Sequence, residues 1–335
     1  MTSLDGHGPT KADVPVFVIG AVNIDLVFRV DALPRAGQTV LARSPQELNG
    51  GKGGNQAVAA ARLGADVRMV ACVGTDSAGD RALASLRAAG VDGHSVQRRG
   101  TRTGTATVLV CDDGENAIIV SPAANSLLEP ADVDVALADA RSGIVLISLE
   151  VPLAAANAAA VAASARGLTV VLNPAPAHVL SRELLASCDV LIPNEHEVGE
   201  LGQPNIGALL ATGTGAVVVT RGAAGAEIHR KEMPVRRIPA FPVDAVDTTG
   251  AGDAFCGGFA WALSTGRSLE SAVTAASATG ALATRRTGAR ASLPSLAEMH
   301  DLFPDVLVTG MRNPVRSIRP DGIMTPVHSP NRAVR

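Results

Sequence analysis

Short apolar runs that end in glycine or polar residues recur along the chain. The first covers residues 16–20 and ends in Gly20, and later runs cover residues 67–73, 144–149, 168–172, 190–192 and 216–220. Continuous apolar runs of this length are typical of strands buried on both faces of a parallel sheet. Helices are predicted over residues 57–64, 77–89, 153–166, 254–263, 269–284 and 295–302. This alternation predicts an α/β fold in which the polar strand ends share one edge of the sheet.

Two pairs of strand-like segments interrupt the alternation. The first pair covers residues 26–30 and 39–42, and the second covers 104–110 and 117–120, with a turn at 112–116. Such hairpin-like insertions predict a small second sheet that spans about residues 25–49 and 101–121. A small sheet needs something to cover its apolar face, so it could serve as a lid over a cleft, as an oligomer contact, or as both.

The composition indicates a large core built from small side chains. Of 335 residues, 47% are hydrophobic, but only 2% are aromatic and none is Tyr, so Ala, Val and Leu must fill the core. The length allows two domains or one large α/β domain. After Phe303 the periodicity is weak and Pro and Arg recur, which predicts a flexible tail over residues 304–335.

The net charge, the cysteine spacing and the lengths of the apolar runs disfavour several kinds of partner, site and cellular location. The formal net charge of −3 argues against a nucleic acid bound through its phosphates. The four cysteines lack the spacing of a zinc site or a disulfide framework and are expected to be buried reduced thiols. The first 13 residues lack the apolar segment of a signal peptide, and no run is long enough to span a membrane. The expectation is a cytoplasmic protein without a membrane partner.

The strongest candidate for chemistry is the segment Asp247–Asp253, DTTGAGD, which precedes an apolar helix. Gly250 and Gly252 allow a tight turn, and free backbone N–H groups at a helix start form an anion site. Asp253 lies beside that site, where a carboxylate could accept a proton from an attacking hydroxyl. The alternative is an ordinary turn in which Asp253 only favours the helix dipole.

A second glycine-rich segment, Asn49–Gln56, precedes the first alanine-rich helix. It matches neither the P-loop nor the G-x-G-x-x-G dinucleotide pattern. Gly51 and Gly53 allow close approach of a ligand, and Lys52 and Asn55 offer hydrogen bonds, so a polyol fits the segment best. A purely structural loop is the alternative, although four glycines cost more backbone entropy than a plain turn requires.

Polar residues follow the predicted strands and are candidates for ligand contacts. Asn23 and Asp25 follow the first strand, where they could bind a ligand or form a turn. Glu150 could bind a sugar hydroxyl or cap a helix. Asn194 and Glu197 form N-x-x-E, which suits either helix capping or a site near Mg²⁺ and phosphate.

These motifs, in this order, resemble the ribokinase-type (PfkB) family of sugar and nucleoside kinases. The resemblance covers about residues 16–303 and includes GAVNID at 20–25, GGKGGNQ at 50–56, SLE at 148–150, NPAP at 173–176 and DTTGAGD at 247–253. It implies a three-layer α/β/α sandwich with a mainly parallel central sheet and a small β-sheet lid, in one kinase domain over residues 15–303. It also implies ATP, Mg²⁺ and K⁺ as cofactors and a small-molecule sugar as substrate. From the two β insertions, taken as a contact between subunits, we expect a homodimer that pairs through the lid.

The resemblance assigns roles residue by residue. Asp253 would be the general base, with an anion hole at Gly250, Ala251 and Gly252. The sugar would be bound by Asn23, Asp25, Gly51, Lys52, Asn55 and Glu150, with its reacting hydroxyl near Asp253. The nucleotide and its Mg²⁺ would be bound by Asn194, Glu197, Thr220, Arg221, Gly222, Gly225, Gly252 and Ser277. Potassium would be surrounded by Asp247, Thr249, Ala283, Arg286, Gly288 and Ser292.

Three departures from the family pattern bear on the nucleotide side and the lid. The segment between Glu200 and Ala216 is short, Ser277 stands where some members have His, and residues 123–125 read AAN rather than GAN. The activity implied is phosphorylation of D-ribose on its 5-hydroxyl, with deoxyribose, adenosine or fructose as alternative acceptors. A catalytically silent sugar-binding regulator is disfavoured because Asp253 and its glycines are present. An oxidoreductase is disfavoured because no G-x-G-x-x-G follows the first strand.

Overall fold

The structure is a computed structural model that describes residues 13–111 and 115–308. Its strands are β1 (Val16–Ile19), β2 (Asn23–Arg29), β3 (Arg43–Gly50), β4 (Val67–Val73), β5 (Val91–Asp92), β6 (Val96–Arg98), β7 (Gly104–Val110), β8 (Asn116–Ser121), β9 (Ile144–Ser148), β10 (Thr169–Asn173), β11 (Val190–Leu191), β12 (Ala216–Thr220), β13 (Ala226–His229) and β14 (Arg236–Ile238). Its α-helices are α1 (Lys52–Arg62), α2 (Ser77–Ala88), α3 (Pro130–Leu137), α4 (Leu153–Ala165), α5 (Arg182–Ser187), α6 (Ile206–Ala211), α7 (Ala251–Ser264), α8 (Leu269–Ala283), α9 (Leu296–Leu302) and α10 (Pro304–Val308).

The main sheet is parallel except at one end. In the described part of the chain its order is β14-β13-β12-β11-β10-β9-β1-β4-β5, and β6 also pairs with β4. All pairings from β12 to β5 are parallel, whereas β13 and β14 are antiparallel to their neighbours. The carboxyl ends of the parallel strands therefore lie at one edge, as the sequence predicts.

Apolar residues on the two faces of the sheet form two separate core clusters. One joins α1, α2, α7 and α8, and the other joins α3, α4, α5 and α6. Alternate residues of β1 illustrate the division, because Val16 and Val18 belong to the first cluster and Phe17 and Ile19 to the second. The predicted three-layer α/β/α sandwich is confirmed.

The small second sheet is also confirmed, in the order β3-β2-β7-β8, and is called the lid sheet below. Strands β2 and β7 are parallel, and each has an antiparallel edge strand as its other neighbour. The predicted strand at residues 39–42 is wrong, because the partner of β2 is Arg43–Gly50. This strand is polar and contains Pro45, which an edge strand tolerates, so it lacks an apolar signal. Leu41, on the incorrectly predicted strand, is 89% exposed.

Two other boundaries differ from the predictions. Helix α1 begins at Lys52 rather than at residue 57, so Gly53 and Gly54 are helical. The predicted flexible tail includes five residues that instead form α10, where the carbonyl of Val306 accepts a 2.8 Å hydrogen bond from Arg267 Nη1. The rest of that tail, residues 309–335, and residues 112–114 of the turn predicted at 112–116 lie outside the described residues. Between Glu200 and Ala216 the chain forms the six-residue helix α6. Across residues 13–111 and 115–308, no helix combines the length and apolarity needed to cross a membrane.

Candidate active site

Asp253 lies in the first turn of α7, at the carboxyl edge of the main sheet. Gly250 precedes the helix in the left-handed conformation, with φ of 77°, which favours glycine. The amide of Ala251 donates to the carbonyl of Thr248 at 3.1 Å, so this part of the predicted anion hole is engaged within the protein. The amides of Gly252 and Asp253 belong to the first helical turn, where N–H groups have no acceptor in the helix itself. They are the helix-end donors next to the carboxylate.

Two amide side chains hold the Asp253 carboxylate. Asn55 Nδ2 donates to Oδ2 at 3.0 Å, and Gln56 Nε2 donates to Oδ1 at 3.1 Å. Gln56 Nε2 also lies 3.0 Å from Asn173 Oδ1, and Asn173 Nδ2 donates to the carbonyl of Ile192. Asp253 is buried, so this network fixes the orientation of its carboxylate.

A cation and three carboxylates surround the start of α1. The backbone amide of Lys52 donates to Glu150 Oε2 at 2.8 Å. Burial alone would lower the pKa of Lys52, but the charges of Asp253, Glu150 and Glu197 raise it above its usual value. Burial raises the pKa of Glu150, against the opposing effect of the Lys52 amide and charge. The sequence-predicted residues Lys52, Glu150 and Asp253 are thus brought together, with Lys52 as a firmly charged cation.

Asp25 faces the same region from strand β2. Burial raises its pKa to about 6, while Arg290 lowers it and Asp253 raises it further. Its Oδ1 is buried and has no hydrogen-bond partner among the described residues. A Cβ on Gly50 would lie 2.1 Å from the carboxylate, and Gly51 has φ of 82°, so both glycines are required beside Asp25. An unpaired buried carboxylate oxygen suits a ligand hydroxyl.

Asn23, the first residue of β2, is buried and already has a partner. Its Oδ1 accepts a 2.7 Å hydrogen bond from Asn125 Nδ2, and Asn125 Oδ1 accepts one from the amide of Val22 at 3.0 Å. Asn125, the last residue of the AAN sequence at 123–125, therefore holds the start of the lid sheet in place. Asn23 is left with its amide hydrogens as the donors it can offer a ligand.

A polar cavity of about 140 Å³ opens beside Asp253. Its lining combines the first turn of α7 with residues from several strand ends, and comprises Lys52, Asn173, Ala175, Ile192, Asn194, Glu197, Thr220, Gly250, Gly252, Asp253 and Cys256. Cys256 is fully buried, which raises the pKa of its thiol and disfavours the thiolate. All four cysteines are buried, as expected, and no disulfide joins them within the described part of the chain.

Asn194 and Glu197 have two roles at once in this cavity. Asn194 Oδ1 accepts from the amides of His196 and Glu197, each at 2.9 Å, and Glu197 Oε2 accepts from the amide of Asn194 at 2.8 Å. This reciprocal arrangement is the helix-capping interpretation of N-x-x-E. Both side chains also line the cavity, so capping presents them to it rather than excluding a ligand role.

A larger, mainly apolar cavity of about 470 Å³ adjoins the polar one. Thr220 and Gly252 line both cavities. Five of the predicted nucleotide residues line the apolar cavity, namely Thr220, Gly222, Gly225, Gly252 and Ser277. Ser277 Oγ is buried and unpaired among the described residues, so it could bind a polar edge of a flat, largely apolar ligand.

Arg221 lies apart from the other predicted nucleotide residues. Its guanidinium donates to Glu227 Oε1 at 3.0 Å, and Glu195 lies 3.7 Å away. Arg221 lines neither cavity. In this structure Arg221 stabilises the turn between β12 and β13, and the fold does not bring it to the cavity that its neighbours line.

The residues assigned to potassium fall on two adjoining segments. Asp247 joins them, because its Oδ1 accepts from the amide of Thr249 at 2.9 Å and its Oδ2 accepts from Gly288 at 2.8 Å. Ser292 Oγ donates to the carbonyl of Ala289 at 3.1 Å, and the guanidinium of Arg286 is paired with Glu298. Ala283 ends α8 beside them. Backbone carbonyls and the Asp247 carboxylate are oxygen ligands of the type an alkali cation accepts.

The sequence did not identify several residues that the structure brings to the site. Gln56 and Asn173 stood within recognised motifs but had no role assigned, although they hold Asp253. Arg290 lies in the loop after α8 and Cys256 lies on α7, and no local sequence pattern assigns either residue to the site. Each is recognised through a contact that spans more than 100 residues of sequence, except Cys256, which lies one turn after Asp253.

Comparison with known proteins agrees with this geometry. A profile of the pfkB family of carbohydrate kinases matches residues 15–296. The chain belongs to this family. Similar members include ribokinase from Haemophilus influenzae, 38% identical over 293 residues that cover 84% of this chain and 95% of that protein. Deoxyribokinase from Salmonella typhi is 34% identical over 299 residues, covering 85% of this chain and 97% of that protein.

A solved structure of a family member has the same fold. Arabidopsis thaliana ribokinase complexed with ribose and ATP superposes with a TM-score of 0.76 at 30% sequence identity. The match covers 86% of this chain and 98% of the Arabidopsis chain. The three-layer sandwich and the separate lid sheet are thus features that this chain shares with pfkB-family structures.

Proposed function

We propose that this protein transfers the γ-phosphate of ATP to the 5-hydroxyl of D-ribose. The observation that carries the proposal is the position of Asp253. It lies in the first turn of α7 and lines the polar cavity together with Lys52, and its charge acts on Asp25. Similarity to proteins named ribokinase, and to one complexed with ribose and ATP, supports the substrate pair.

The first step is binding and orientation of the sugar. Asp25 and Glu150 would accept hydrogen bonds from its hydroxyls, and Lys52 and Asn55 would donate to its oxygens. Asp253 would then accept the proton of the reacting hydroxyl as the hydroxyl oxygen attacks the γ-phosphorus, and ADP would leave as the bond from that phosphorus to the bridging oxygen breaks. Support comes from the amides of Asn55 and Gln56, which leave each carboxylate oxygen with a further acceptor position. Holding both reactants in place lowers the entropic part of the barrier.

The second requirement is stabilisation of negative charge on the transferred phosphoryl group. The amides of Gly252 and Asp253 at the start of α7, and the ammonium of Lys52 in the lining of the polar cavity, would donate hydrogen bonds to this group. Thr220, Gly222, Gly225 and Ser277 would bind the nucleotide in the apolar cavity. Closure of the lid sheet over the sugar would exclude water and so limit hydrolysis of ATP.

Magnesium fits the donors of the polar cavity. Asn194, Glu197 and Thr220 supply oxygen atoms, and Mg²⁺ typically binds through one or two carboxylates together with substrate phosphates. When bound, it neutralises charge on the β- and γ-phosphates. Potassium fits the oxygen donors around Asp247 and Ser292, and its role would be to fix the loop that contacts Gly250. A Cβ on Gly250 would lie 2.8 Å from Ala289 Cα, which supports such a contact.

The test is ADP release with Mg²⁺-ATP and potassium, comparing D-ribose, 2-deoxyribose, adenosine, fructose and fructose 6-phosphate. We expect the highest kcat/KM with ribose. Deoxyribose is the second candidate because of the similarity to the Salmonella enzyme, and a preference for it would remove the 2-hydroxyl from the proposed contacts. Turnover with none of these acceptors would refute the kinase proposal and support a silent binder.

The role of Asp253 is tested by Asp253→Asn, which keeps the shape of the side chain. We expect kcat to fall by about 10²- to 10⁴-fold, the usual contribution of a general base, with ribose binding by calorimetry retained. Asp139→Asn, at an exposed position, is the matched control. An Asp253→Asn enzyme with most of its kcat would show that the base is another group. Equal kcat in potassium-free buffer would likewise exclude the cation role.

We further infer that the protein is a homodimer through the lid sheet. Ile118 and Val120 lie on the same face of edge strand β8 and are 59% and 50% exposed. Burial of such a face by a second copy is the expected way to remove it from water. Ile118→Asp with Val120→Asp should halve the mass measured by light scattering, whereas Val135→Asp, at an exposed position on α3, should not. A monomeric wild type would refute this assembly.

A further inference from the structure

Arg290 is a buried arginine next to the proposed sugar site. It is 8% exposed and belongs to the loop after α8. Burial lowers the pKa of its guanidinium to about 10, while Asp25 and Asp253 oppose the shift, so the group carries its charge at neutral pH. A buried cation is costly unless neighbouring groups compensate it, and those neighbours here are residues of the site.

The guanidinium contacts three separate parts of the fold. Nη2 donates to the carbonyl of Gly50 at 2.8 Å, and Nε donates to Asn55 Oδ1 at 3.3 Å. Nη1 lies 3.5 Å from Ser85 Oγ on α2. Because arginine has no acceptor, its contact with Asn55 fixes the amide oxygen toward Arg290 and the amide nitrogen toward Asp253. Arg290 therefore fixes Gly50 in the glycine-rich segment and orients the Asn55 amide that donates to the Asp253 carboxylate.

Gly54 provides the space that this side chain occupies. A Cβ added at Gly54 would lie 2.3 Å from Arg290 Nη2. The backbone of Gly54 is helical, so its conformation alone does not require glycine. Helix propensity disfavours glycine at such a position by about 1 kcal/mol relative to alanine. The fit of the guanidinium against α1 explains why a smaller residue is needed there.

We propose that Arg290 is a positioning residue of the sugar site. It holds Gly50 and Asn55 in place, and its charge acts on the Asp25 carboxylate. The inference rests on the proposed sugar kinase activity but not on the identity of the sugar. It assigns the loop after α8 a part in binding the acceptor.

Three charged groups influence Asp25, and only one is altered in the test. Arg290 lies on the loop after α8, Asp253 on α7, and Glu150 just after β9, where its own pKa is raised in part by Asp25. Arg290 lowers the pKa of Asp25, so its removal should raise it. The acid limb of kcat/KM for the sugar should then move to higher pH. Glu150 and Asp253 remain present in wild type and variants, so the difference between their profiles isolates Arg290.

The experiment compares Arg290→Gln and Arg290→Lys with the wild type, using the sugar that the wild type phosphorylates fastest. For Arg290→Gln we expect the KM and the calorimetric Kd for sugar to rise about 10- to 100-fold, as for lost hydrogen bonds to a charged group. The KM for ATP should stay within about twofold of its wild-type value, because Arg290 lines neither cavity. The acid limb should rise by about one pH unit in Arg290→Gln, the effect of an adjacent opposite charge. It should stay near its wild-type position in Arg290→Lys.

Arg267→Gln is the matched control. Arg267 is also buried, but its guanidinium binds the carbonyls of Val306 and Leu307 at α10, so its loss should change thermal stability without changing the sugar KM. If Arg290→Gln binds sugar like the wild type and its acid limb is unmoved, the inference is wrong.

If that variant does not fold, Gly54→Ala tests the same contact. A Gly54→Ala enzyme with a wild-type sugar KM would overturn the inference, and a raised sugar KM with an unchanged KM for ATP would support it. A wild type without sugar kinase activity would instead refute the proposed function.

Discussion

The crossing of α1 and α7 predicts that Gly257→Ala will impair catalysis more than stability. Gly257 lies one turn after Asp253 on α7 and faces α1. A Cβ at this position would lie 2.5 Å from Ala59 Cβ and 2.5 Å from the carbonyl oxygen of Gln56. Ordinary contacts between such atoms are about 3.5 Å, so the two helices must separate by about 1 Å to accept the methyl group.

That separation is enough to break the contacts that orient the carboxylate. The hydrogen bonds of Asp253 with Asn55 and Gln56 are 3.0 and 3.1 Å long. Lengthened by about 1 Å, both would exceed the limit for a hydrogen bond. A misplacement of this size costs on the order of 10²-fold in rate, so kcat should fall about 100-fold. Overpacking costs about 1–3 kcal/mol, offset by about 1 kcal/mol of improved helix propensity, so Tm should fall by only a few degrees.

The assay is ADP release at saturating sugar and ATP, alongside thermal unfolding. Gly199→Ala is the control, because a Cβ there meets nothing within 4 Å, and it should leave kcat unchanged. Adding Ala59→Gly to Gly257→Ala should restore part of the activity, since one of the two close contacts disappears. A folded Gly257→Ala enzyme whose kcat is within about twofold of wild type would refute the reasoning.

Three further outcomes are expected. Gly225→Ala should raise the KM for ATP by about tenfold, because Gly225 has φ of 87° and a Cβ would lie 2.1 Å from the Ile238 carbonyl; an unchanged KM would contradict the nucleotide assignment. Asp76→Ala should lower stability by about 1–2 kcal/mol at unchanged kcat, because Asp76 caps α2 through the amide of Gly79. Burial alone would raise the pKa of Asp76, but hydrogen bonds from Thr103 and Gly79 lower it below its usual value. The stabilisation by Asp76 is therefore present at neutral pH and is lost as the pH falls below about 4. In that acid range the denaturation curves of wild type and variant should converge. Asp247→Asn should raise the potassium concentration needed for half-maximal activity, because an amide nitrogen cannot accept from Gly288; an unchanged potassium dependence would contradict the cation assignment.

The strand ends were predictable because buried parallel strands have a strong apolar signal. The six predicted main-sheet strands lie within one residue of their observed ends, and β4 and β12 match fully. Lid strand β3 was missed for the opposite reason, since Arg43–Gly50 lies at an exposed edge and carries mostly polar side chains. The mostly apolar residues at 39–42 have a strand-like pattern, but they belong to neither sheet of the described part of the chain.

The site was only partly predictable because its residues act through long-range contacts. Asp253, Lys52 and Glu150 stood in motifs and were recognised. Arg290 acts on Gly50, which is 240 residues earlier, and no local pattern indicates that contact. Helix α1 shows a related failure, because low helix propensity argued against Gly53 and Gly54 as helical residues, while the fold needs them for close approach to other parts of the chain.

Close approaches between backbones set the geometry of the site. Gly53 approaches Gly20 so closely that a Cβ would lie 2.7 Å from its Cα, and a Cβ on Gly258 would lie 2.5 Å from Thr279 Oγ1 on α8. With the contact of Gly257 against Ala59, these approaches bring the start of α1 against the end of β1 and bring α7 against both α1 and α8. Larger side chains at these contacts would separate the elements that carry Asn55, Gln56 and Asp253. The glycines reduce helix propensity, but they set the distance between the backbones, and the reach of the short amide side chains to Asp253 depends on that distance.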